Sequence, residues 1–209
     1  MIRHILFDLD CTLYSVDYGL EDEVSRRIQE YTISWLGISD EECMRLRMEG
    51  LKRYGTTIAW LKAEKGFTEF SDYYAYVHPE NEADSLLPDP ELRRFLEGLP
   101  CPCSILTNSP RSHAERIIKK LAFEGLFQYV FDIEGNGNSG KPHASAFNRA
   151  LDTMGLKAEE VLFIDDHPRY AEGYIALGGR ALLLDERDKH IDYPHDRIKD
   201  LRELVNYLG

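Results

Sequence analysis

The sequence predicts an α/β fold in which helices flank a parallel β-sheet and a helical segment is inserted after the first strand. Short apolar runs, helical patterns that alternate with them, and one unusually long gap between two runs support this prediction. Continuous runs of β-branched and aromatic residues are typical of strands that are covered on both faces. The five predicted strands are residues 2–7, 103–106, 129–133, 161–164 and 180–184.

Helical patterns occupy the segments between the later strands. Apolar side chains recur at helical spacing in residues 112–123, and residues 144–154 and 169–177 show the same period. Because strand and helix alternate, we expect right-handed crossovers between parallel strands.

The long gap lies between the first two strands, which are separated by about 95 residues, whereas the other gaps are roughly 20 to 30. This segment contains no good strand and favours four helices, at residues 21–36, 40–54, 57–65 and 69–77. We therefore predict a core domain of residues 1–15 and 88–209 and a helical cap domain of residues 16–87.

The charge of the chain limits its partners. It has 209 residues with 25 Lys and Arg against 37 Asp and Glu, which gives a net charge of −12. Such an acidic surface argues against nucleic-acid polymers and anionic membranes as partners, but a local pocket can still bind a small anion.

The cysteines and the N-terminus bear on the cellular compartment. The four cysteines form no paired metal-binding or disulfide pattern, and no apolar run is long enough for a leader or a membrane span. We expect a cytoplasmic protein that is a monomer or a homodimer.

Chemically active residues follow the predicted strands at the edge where ligands bind in open parallel sheets. Taken singly, each has an ordinary structural explanation, such as a capped turn, a helix N-cap or a solvated lysine. Their joint placement favours a site. They are Asp8 and Asp10 after the first strand, Thr107 and Asn108 after the second, Lys141 after the third, and Asp165 and Asp166 after the fourth.

This set of residues is suited to phosphoryl transfer through an aspartate. A carboxylate that attacks a phosphate dianion meets repulsion of roughly 4 kcal/mol per unit pair at ~4 Å and an effective dielectric constant of ~20. A divalent cation held by carboxylates removes this obstacle, and a lysine and a hydroxyl can hold the remaining phosphate oxygens. A second acid must protonate the leaving group and later deprotonate water.

Four segments resemble the motifs of the haloacid dehalogenase-like hydrolases. FDLDCTLY resembles the first motif, DxDxT, and ILTNSP the second; the lysine of GKPHASAF matches the third, and FIDDHP the acidic fourth. All four occur in the family order over the whole chain. The resemblance implies a Rossmann-like core with a mobile cap.

The resemblance also implies a role for each matching residue. Asp8 would be the nucleophile, and Asp10 would be the general acid and base that gives its backbone carbonyl to Mg²⁺. Thr107, Asn108 and Lys141 would bind phosphate, and Asp165 and Asp166 would complete the magnesium site, with Asp166 favoured as the direct ligand. Because the dehalogenases of the family lack an acid at the position of Asp10, its presence indicates a phosphatase.

One stretch departs from the family pattern. Members of this type often have DDSxxN in the fourth motif, whereas here the sequence is DDHPRY, with His167 and Tyr170 in the places of Ser and Asn. The residues around the metal ligands therefore differ, although the carboxylates themselves are present.

The cap resembles that of the pyrimidine 5′-nucleotidase-like branch, through KRYGTTI and DYYAYVH. This implies nucleoside 5′-monophosphates as substrates. The predicted contacts are Arg53, Tyr54, Thr56, Thr57 and His78; the cap tyrosines are equally compatible with packing in the cap core. The alternatives are a sugar phosphate, phosphoglycolate or pyridoxal phosphate as substrate, and a catalytically silent binding module.

A signalling receiver domain also combines a parallel sheet with an acidic pair, a Thr or Ser and a Lys. Such a domain is about half as long and carries its acidic pair after the first strand and its phosphorylated Asp after the third. The pair after the fourth strand and the long insertion disfavour it here.

Overall fold

The computed structural model describes residues 1–208, which contain a six-stranded parallel sheet in the order β3-β2-β1-β4-β5-β6. The predicted α/β fold is therefore confirmed, with β3 beginning two residues earlier than expected. The strand β6 was not predicted, because two residues are too few to form a recognisable apolar run. The strands are β1 (His4–Phe7), β2 (Cys103–Leu106), β3 (Phe127–Phe131), β4 (Val161–Asp165), β5 (Arg180–Leu184) and β6 (Arg197–Ile198).

Eight α-helices connect these strands. Between β1 and β2 lie α1 (Leu20–Leu36), α2 (Asp40–Tyr54), α3 (Thr57–Lys65), α4 (Phe70–Val77) and α5 (Pro90–Glu97); the later connections contain α6 (Arg111–Lys120), α7 (Ala144–Met154) and α8 (Pro168–Ile175). The sequence prediction missed α5. Its start signal was nevertheless present, because Asp89 accepts hydrogen bonds from the backbone N–H groups of Glu91 and Leu92.

The centre of the sheet determines where the site forms. Strand β1 is buried along its whole length and pairs with β2 on one side and β4 on the other. The chain continues from β1 to β2 and later returns to β4, so the crossovers diverge at β1. In open α/β sheets the crevice at such a switch point, beyond the carboxyl ends of the strands, is where ligands bind.

The inserted helices α1–α4 pack around a separate apolar cluster, which includes Trp60, Phe67 and Tyr73 and is joined by Ile133 from the core. Helices α2 and α3 approach closely at Gly50, where a Cβ atom would lie 2.4 Å from Cγ of Trp60. A separate apolar cluster is what an independent cap requires. The exact boundary at residues 16–87 remains a prediction.

Direct contacts join the cap helices to the core. Arg169 at the start of α8 donates hydrogen bonds to the carbonyl oxygens of Leu51 and Lys52 at the end of α2. Gly55 has a φ of +79°, and a Cβ atom there would lie 2.8 Å from the carbonyl oxygen of Lys141. A glycine thus allows the cap to approach the backbone of a predicted site residue. No helix of residues 1–208 is sufficiently long and apolar to cross a membrane.

Candidate active site

A cavity of about 350 Å³ lies between the carboxyl edge of the sheet and the cap helices. Most of the residues that the sequence predicts for the site line this cavity, although they come from distant parts of the chain. They are Asp8, Asp10, Thr56, Thr57, His78, Thr107, Asn108, Lys141 and Asp166.

A buried lysine joins two of the carboxylates at the edge of the sheet. Lys141 is only 1% exposed, and its Nζ lies 2.7 Å from Oδ1 of Asp8 and 2.6 Å from Oδ2 of Asp165. Burial by itself would lower the pKa of Lys141, but the two carboxylates raise it above its usual range. The lysine therefore remains a cation at the centre of the site.

Asn108 fixes the backbone of this lysine. Its Oδ1 accepts a hydrogen bond from the Lys141 N–H at 2.7 Å, and its Nδ2 donates one to the Lys141 carbonyl at 3.1 Å. The amide thus forms two hydrogen bonds with one peptide segment, and it orients Lys141 from the neighbouring strand end. Phosphate contact by Asn108 remains a prediction.

Three carboxylates could hold a divalent cation. Asp8, Asp165 and Asp166 each offer an oxygen, and these oxygens lie within 4.8 Å of one another. Asp165 uses one oxygen for Lys141 and the other to accept the N–H of His167 at 2.8 Å, whereas Asp166 takes part in neither contact. Asp166 is therefore engaged in neither of these contacts, and its role as the direct metal ligand remains a prediction.

The charges of this cluster are only partly balanced. Burial raises the pKa of Asp166 to about 7, and Asp165 adds to the effect. Burial also raises the pKa of Asp8 above its usual range, and Lys141 opposes this. The three carboxylates offer hard oxygen ligands, which suit Mg²⁺, and one lysine does not balance their charge.

Asp10 accepts hydrogen bonds on both carboxylate oxygens. Oδ1 receives Tyr14 Oη–H at 2.7 Å and lies 2.7 Å from Nε2 of His113, while Oδ2 receives Ser109 Oγ–H at 2.9 Å and Thr107 Oγ1–H at 3.4 Å. Burial by itself would raise the pKa of Asp10, but the charge of His113 and these hydrogen bonds lower it below its usual range. The carboxyl group is held in one orientation.

Sequence reasoning missed two buried residues, His113, which contacts Asp10, and Glu82, which contacts His113. His113 lies on α6, and its Nδ1 is 2.9 Å from Oε1 of Glu82. Burial by itself would lower the pKa of His113, but Asp10 and Glu82 raise it to about 10. His113 could have been found, since it lies four residues before Ile117 on the apolar stripe of α6. Glu82 lies in an acidic, irregular linker that gave no signal.

The unusual fourth motif forms an aromatic stack. The rings of His167 and Tyr170 stack with centroids 4.4 Å apart and planes inclined by 24°, and Nζ of Lys141 is 5.2 Å from the Tyr170 centroid. Tyr170, in the place of Asn, thus covers the lysine, and His167, in the place of Ser, stacks on Tyr170.

The structure does not bring two of the predicted cap residues to the cavity. Arg53 and Tyr54 both contact Glu64, and neither lines the cavity. Arg47, which was not predicted, does line it; its guanidinium donates to Gln29 and Thr57 and forms no ion pair with any carboxylate of residues 1–208. A positive charge without a carboxylate partner therefore faces the cavity.

Comparison with known proteins bears on the chemistry of this site. A family model described as haloacid dehalogenase-like hydrolase matches residues 2–178. The chain is 25% identical to glyceraldehyde 3-phosphate phosphatase of Methanocaldococcus jannaschii, covering 100% of this chain and 99% of that protein. It is 22% identical to phosphoglycolate phosphatase of Mannheimia succiniciproducens, covering 95% and 96%.

Among solved structures, the chain resembles the haloacid dehalogenase-like hydrolase YfnB from Bacillus subtilis, which was determined bound to magnesium. The TM-score is 0.62 at 18% identity, and the match covers 100% of this chain and 99% of that one. This likeness concerns the fold.

Proposed function

We propose that this phosphatase depends on magnesium and works through an aspartyl-phosphate formed on Asp8, since the chain belongs to the haloacid dehalogenase-like hydrolases. The observation that carries the proposal is the contact between Nζ of Lys141 and Oδ1 of Asp8, beside the acidic cluster of Asp165 and Asp166. A carboxylate next to a fixed cation at a strand end can attack an anionic phosphate.

The residues divide the reaction between them. Lys141 neutralises part of the repulsion between Asp8 and the phosphate, and Thr107 offers a hydroxyl to a phosphate oxygen. An oxygen of Asp8 forms a bond to phosphorus while the bond to the leaving alcohol breaks. Asp10, whose Oδ1 shares a proton with Nε2 of His113, passes a proton to that alcohol and later takes one from the water that releases phosphate from Asp8.

Asp8 and Asp166, with the backbone carbonyl of Asp10, would hold the Mg²⁺ ion. The fit rests on the cluster itself, because three carboxylates within 4.8 Å carry more negative charge than Lys141 balances. When bound, the ion supplies positive charge to the phosphate oxygens. The magnesium-bound relative of similar fold supports this choice of metal.

Removal of magnesium is expected to abolish phosphate release. With excess EDTA, activity should fall to the background, and added Mg²⁺ should restore it, since the acidic site otherwise repels the phosphate. Asp166→Asn should raise the Mg²⁺ concentration needed for half-maximal activity by roughly tenfold or more. Full activity in the presence of EDTA would rule out the proposed metal dependence.

Nucleoside 5′-monophosphates are the first candidate substrates. The cavity volume of about 350 Å³ falls within the range of roughly 300–1,000 Å³ found for sites that enclose drug-sized ligands. Tyr73, Tyr74 and Ile58 line it and offer apolar and aromatic surface to a base. The cap sequence supports the same class.

A compact acidic phosphate such as phosphoglycolate is the second candidate. Arg47 favours it, because a carboxylate on the substrate would give this guanidinium the anionic partner that it lacks. The name of the Mannheimia relative points to the same substrate. For either substrate, we expect the cap helices of residues 16–87 to cover the bound molecule. We also expect the protein to be cytoplasmic.

A panel of phosphomonoesters separates these candidates. It contains UMP, CMP, AMP, phosphoglycolate, glycolaldehyde phosphate, pyridoxal phosphate and sugar phosphates, and kcat/KM is measured for each. If the natural substrate is a compact phosphate with a carboxylate that binds Arg47, Arg47→Met should lower kcat/KM for phosphoglycolate by about 10- to 100-fold. It should have little effect on kcat/KM for glycolaldehyde phosphate, which lacks the carboxylate.

The matched control is Arg45→Met, because Arg45 lies on the same helix and forms an exposed pair with Glu49. This change should alter neither rate. Preference for UMP or CMP, with equal effects of Arg47→Met on both small esters, would favour the nucleotidase. A folded, magnesium-binding chain that hydrolyses none of the panel would overturn the proposal in favour of a binding module.

A further inference from the structure

A buried chain of charged groups extends from Asp10 into the protein. His113 is 1% exposed and lies between Asp10 and Glu82, with Nε2 2.7 Å from Asp10 Oδ1 and Nδ1 2.9 Å from Glu82 Oε1. The first contact is a hydrogen bond, and the second is an ion-pair contact. A ring that faces a carboxylate oxygen at each nitrogen needs a hydrogen on both.

Other side chains fix Glu82 in turn. Its Oε2 lies 2.9 Å from Nδ1 of His78, and its Oε1 lies 3.2 Å from Nη2 of Arg116. The Glu82 side chain is 0% exposed and belongs to the segment that leads from α4 back to the core. A buried carboxylate with three cationic or polar neighbours has little freedom to move.

A metal ion is a competing explanation for this cluster, because His78, Glu82 and His113 have ligand atoms within 4.8 Å of one another. The guanidinium of Arg116, however, already lies beside Glu82 Oε1. In addition, the His113 ring has a hydrogen on both nitrogens and so has no lone pair to offer a metal ion. The contacts favour a network of ion pairs in which Glu82 holds the imidazole ring.

We infer that His113, held by Glu82, is a positioning residue that fixes Asp10 for proton transfer to the leaving alcohol. The inference rests on the proposed function. In the step concerned, Asp8 bonds to phosphorus while the bond from phosphorus to the alcohol oxygen breaks, and the proton shared between Nε2 of His113 and Oδ1 of Asp10 moves by way of the Asp10 carboxyl to that oxygen. Glu82 and His113 do not touch the substrate.

This role assigns a task to the linker that follows the cap. Tyr14 and Ser109 also donate to Asp10, but they belong to segments next to the edge of the sheet. Within residues 1–208, only the contact through His113 connects Asp10 to Glu82, and hence to His78 at the end of α4. The orientation of the acid therefore depends on residues about 70 positions away in the chain.

The test uses leaving groups of different acidity. Phenol, with a pKa near that of Tyr at about 10, needs a proton when it leaves, whereas 2,4-dinitrophenolate is a far weaker base and leaves without one. We would measure kcat/KM for phenyl phosphate and 2,4-dinitrophenyl phosphate. This parameter includes only the steps up to departure of the leaving group, and not the later hydrolysis of the aspartyl-phosphate. The variants are Glu82→Gln and His113→Gln.

In each variant, kcat/KM for phenyl phosphate is expected to fall by roughly 30-fold or more, because acid catalysis as a whole contributes ~10²–10⁴-fold. For the dinitrophenyl ester, kcat/KM should fall by less than about threefold. The matched control is His4→Gln. His4 is also a buried histidine, and its Nε2 lies 2.8 Å from Oγ of Ser104 in the sheet. This control should lower thermal stability while leaving the ratio of the two rates unchanged.

Equal losses on both esters, or no loss on either, would overturn the inference while leaving the proposed function intact. Wild-type protein that hydrolyses neither ester would overturn the proposed function and this inference together. Two variants are used so that loss of stability in one of them does not decide the test: each variant that melts above the assay temperature is scored.

Discussion

Replacing Asp8 by asparagine is expected to lower kcat by roughly 10³-fold or more, with little change in the fold. An amide cannot form the bond to phosphorus, and each factor of ten in rate corresponds to ~1.4 kcal/mol of barrier. The substitution keeps the shape of the side chain and removes the charge of a buried carboxyl group. Burial raises the pKa of that group, which means that its charge is unfavourable in the folded protein. We expect the thermal unfolding midpoint to stay the same or to rise.

The measurement combines steady-state rates with detection of phosphate bound to the chain after an acid quench. Wild-type protein should carry label from a ³²P-labelled ester, and Asp8→Asn should carry none. Asp185→Asn is the matched control, because Asp185 is 4% exposed and follows β5 at the same edge of the sheet. It binds Arg197 and the backbone of Lys189 and His190, so stability should fall while turnover and labelling persist. Retained labelling in Asp8→Asn would exclude Asp8 as the nucleophile.

Replacing Lys141 by methionine is expected to lower both stability and activity. The cation pairs with Asp8 and Asp165 inside the protein, and removal of one partner from a buried ion pair typically costs about 3–5 kcal/mol. The carboxylates of the site would then face one another without a counter-ion. The free energy of unfolding, measured in urea without divalent cations, should fall by about that amount.

Added Mg²⁺ should stabilise Lys141→Met more than wild-type protein, because binding to the folded state alone shifts the unfolding equilibrium and the variant site is more negative. Lys120→Met is the control for loss of a lysine. Lys120 pairs with Asp84 at the surface, where ion pairs contribute only about 0–1 kcal/mol. A Lys141 variant as stable as this control, or one that Mg²⁺ does not affect, would contradict the proposed charge balance.

The sequence predicted the elements that carry the core motifs. Apolar runs located five of the six strands, and helical periodicity located α1–α4 to within a residue. These patterns suffice because burial on both faces of a parallel sheet demands continuous apolar residues, and chain connectivity then brings the strand ends to one edge. The sequence alone therefore predicts that Asp8, Thr107, Lys141 and Asp166 lie together, and all four line the cavity.

The sequence was less informative about the cap. Arg53 and Arg47 lie on the same helix, six residues apart, which corresponds to a rotation of about 240° around its axis. Only the packing of α2 determines which of them faces the cavity, and Arg47 does so while Arg53 pairs with Glu64. Composition cannot distinguish between two arginines on one helix.

By itself, the sequence determined the α/β fold, the family and the set of residues at the carboxyl edge, because these depend on periodicity and on the order of motifs along the chain. Only the tertiary structure decided that Glu82 lies against His113 and His113 against Asp10. The linker that contains Glu82 has no regular hydrophobic period. The Glu82 side chain contacts His113 only because the chain returns from the cap to the core beside α6. Long-range contacts of this kind depend on how the elements pack, which local patterns do not specify.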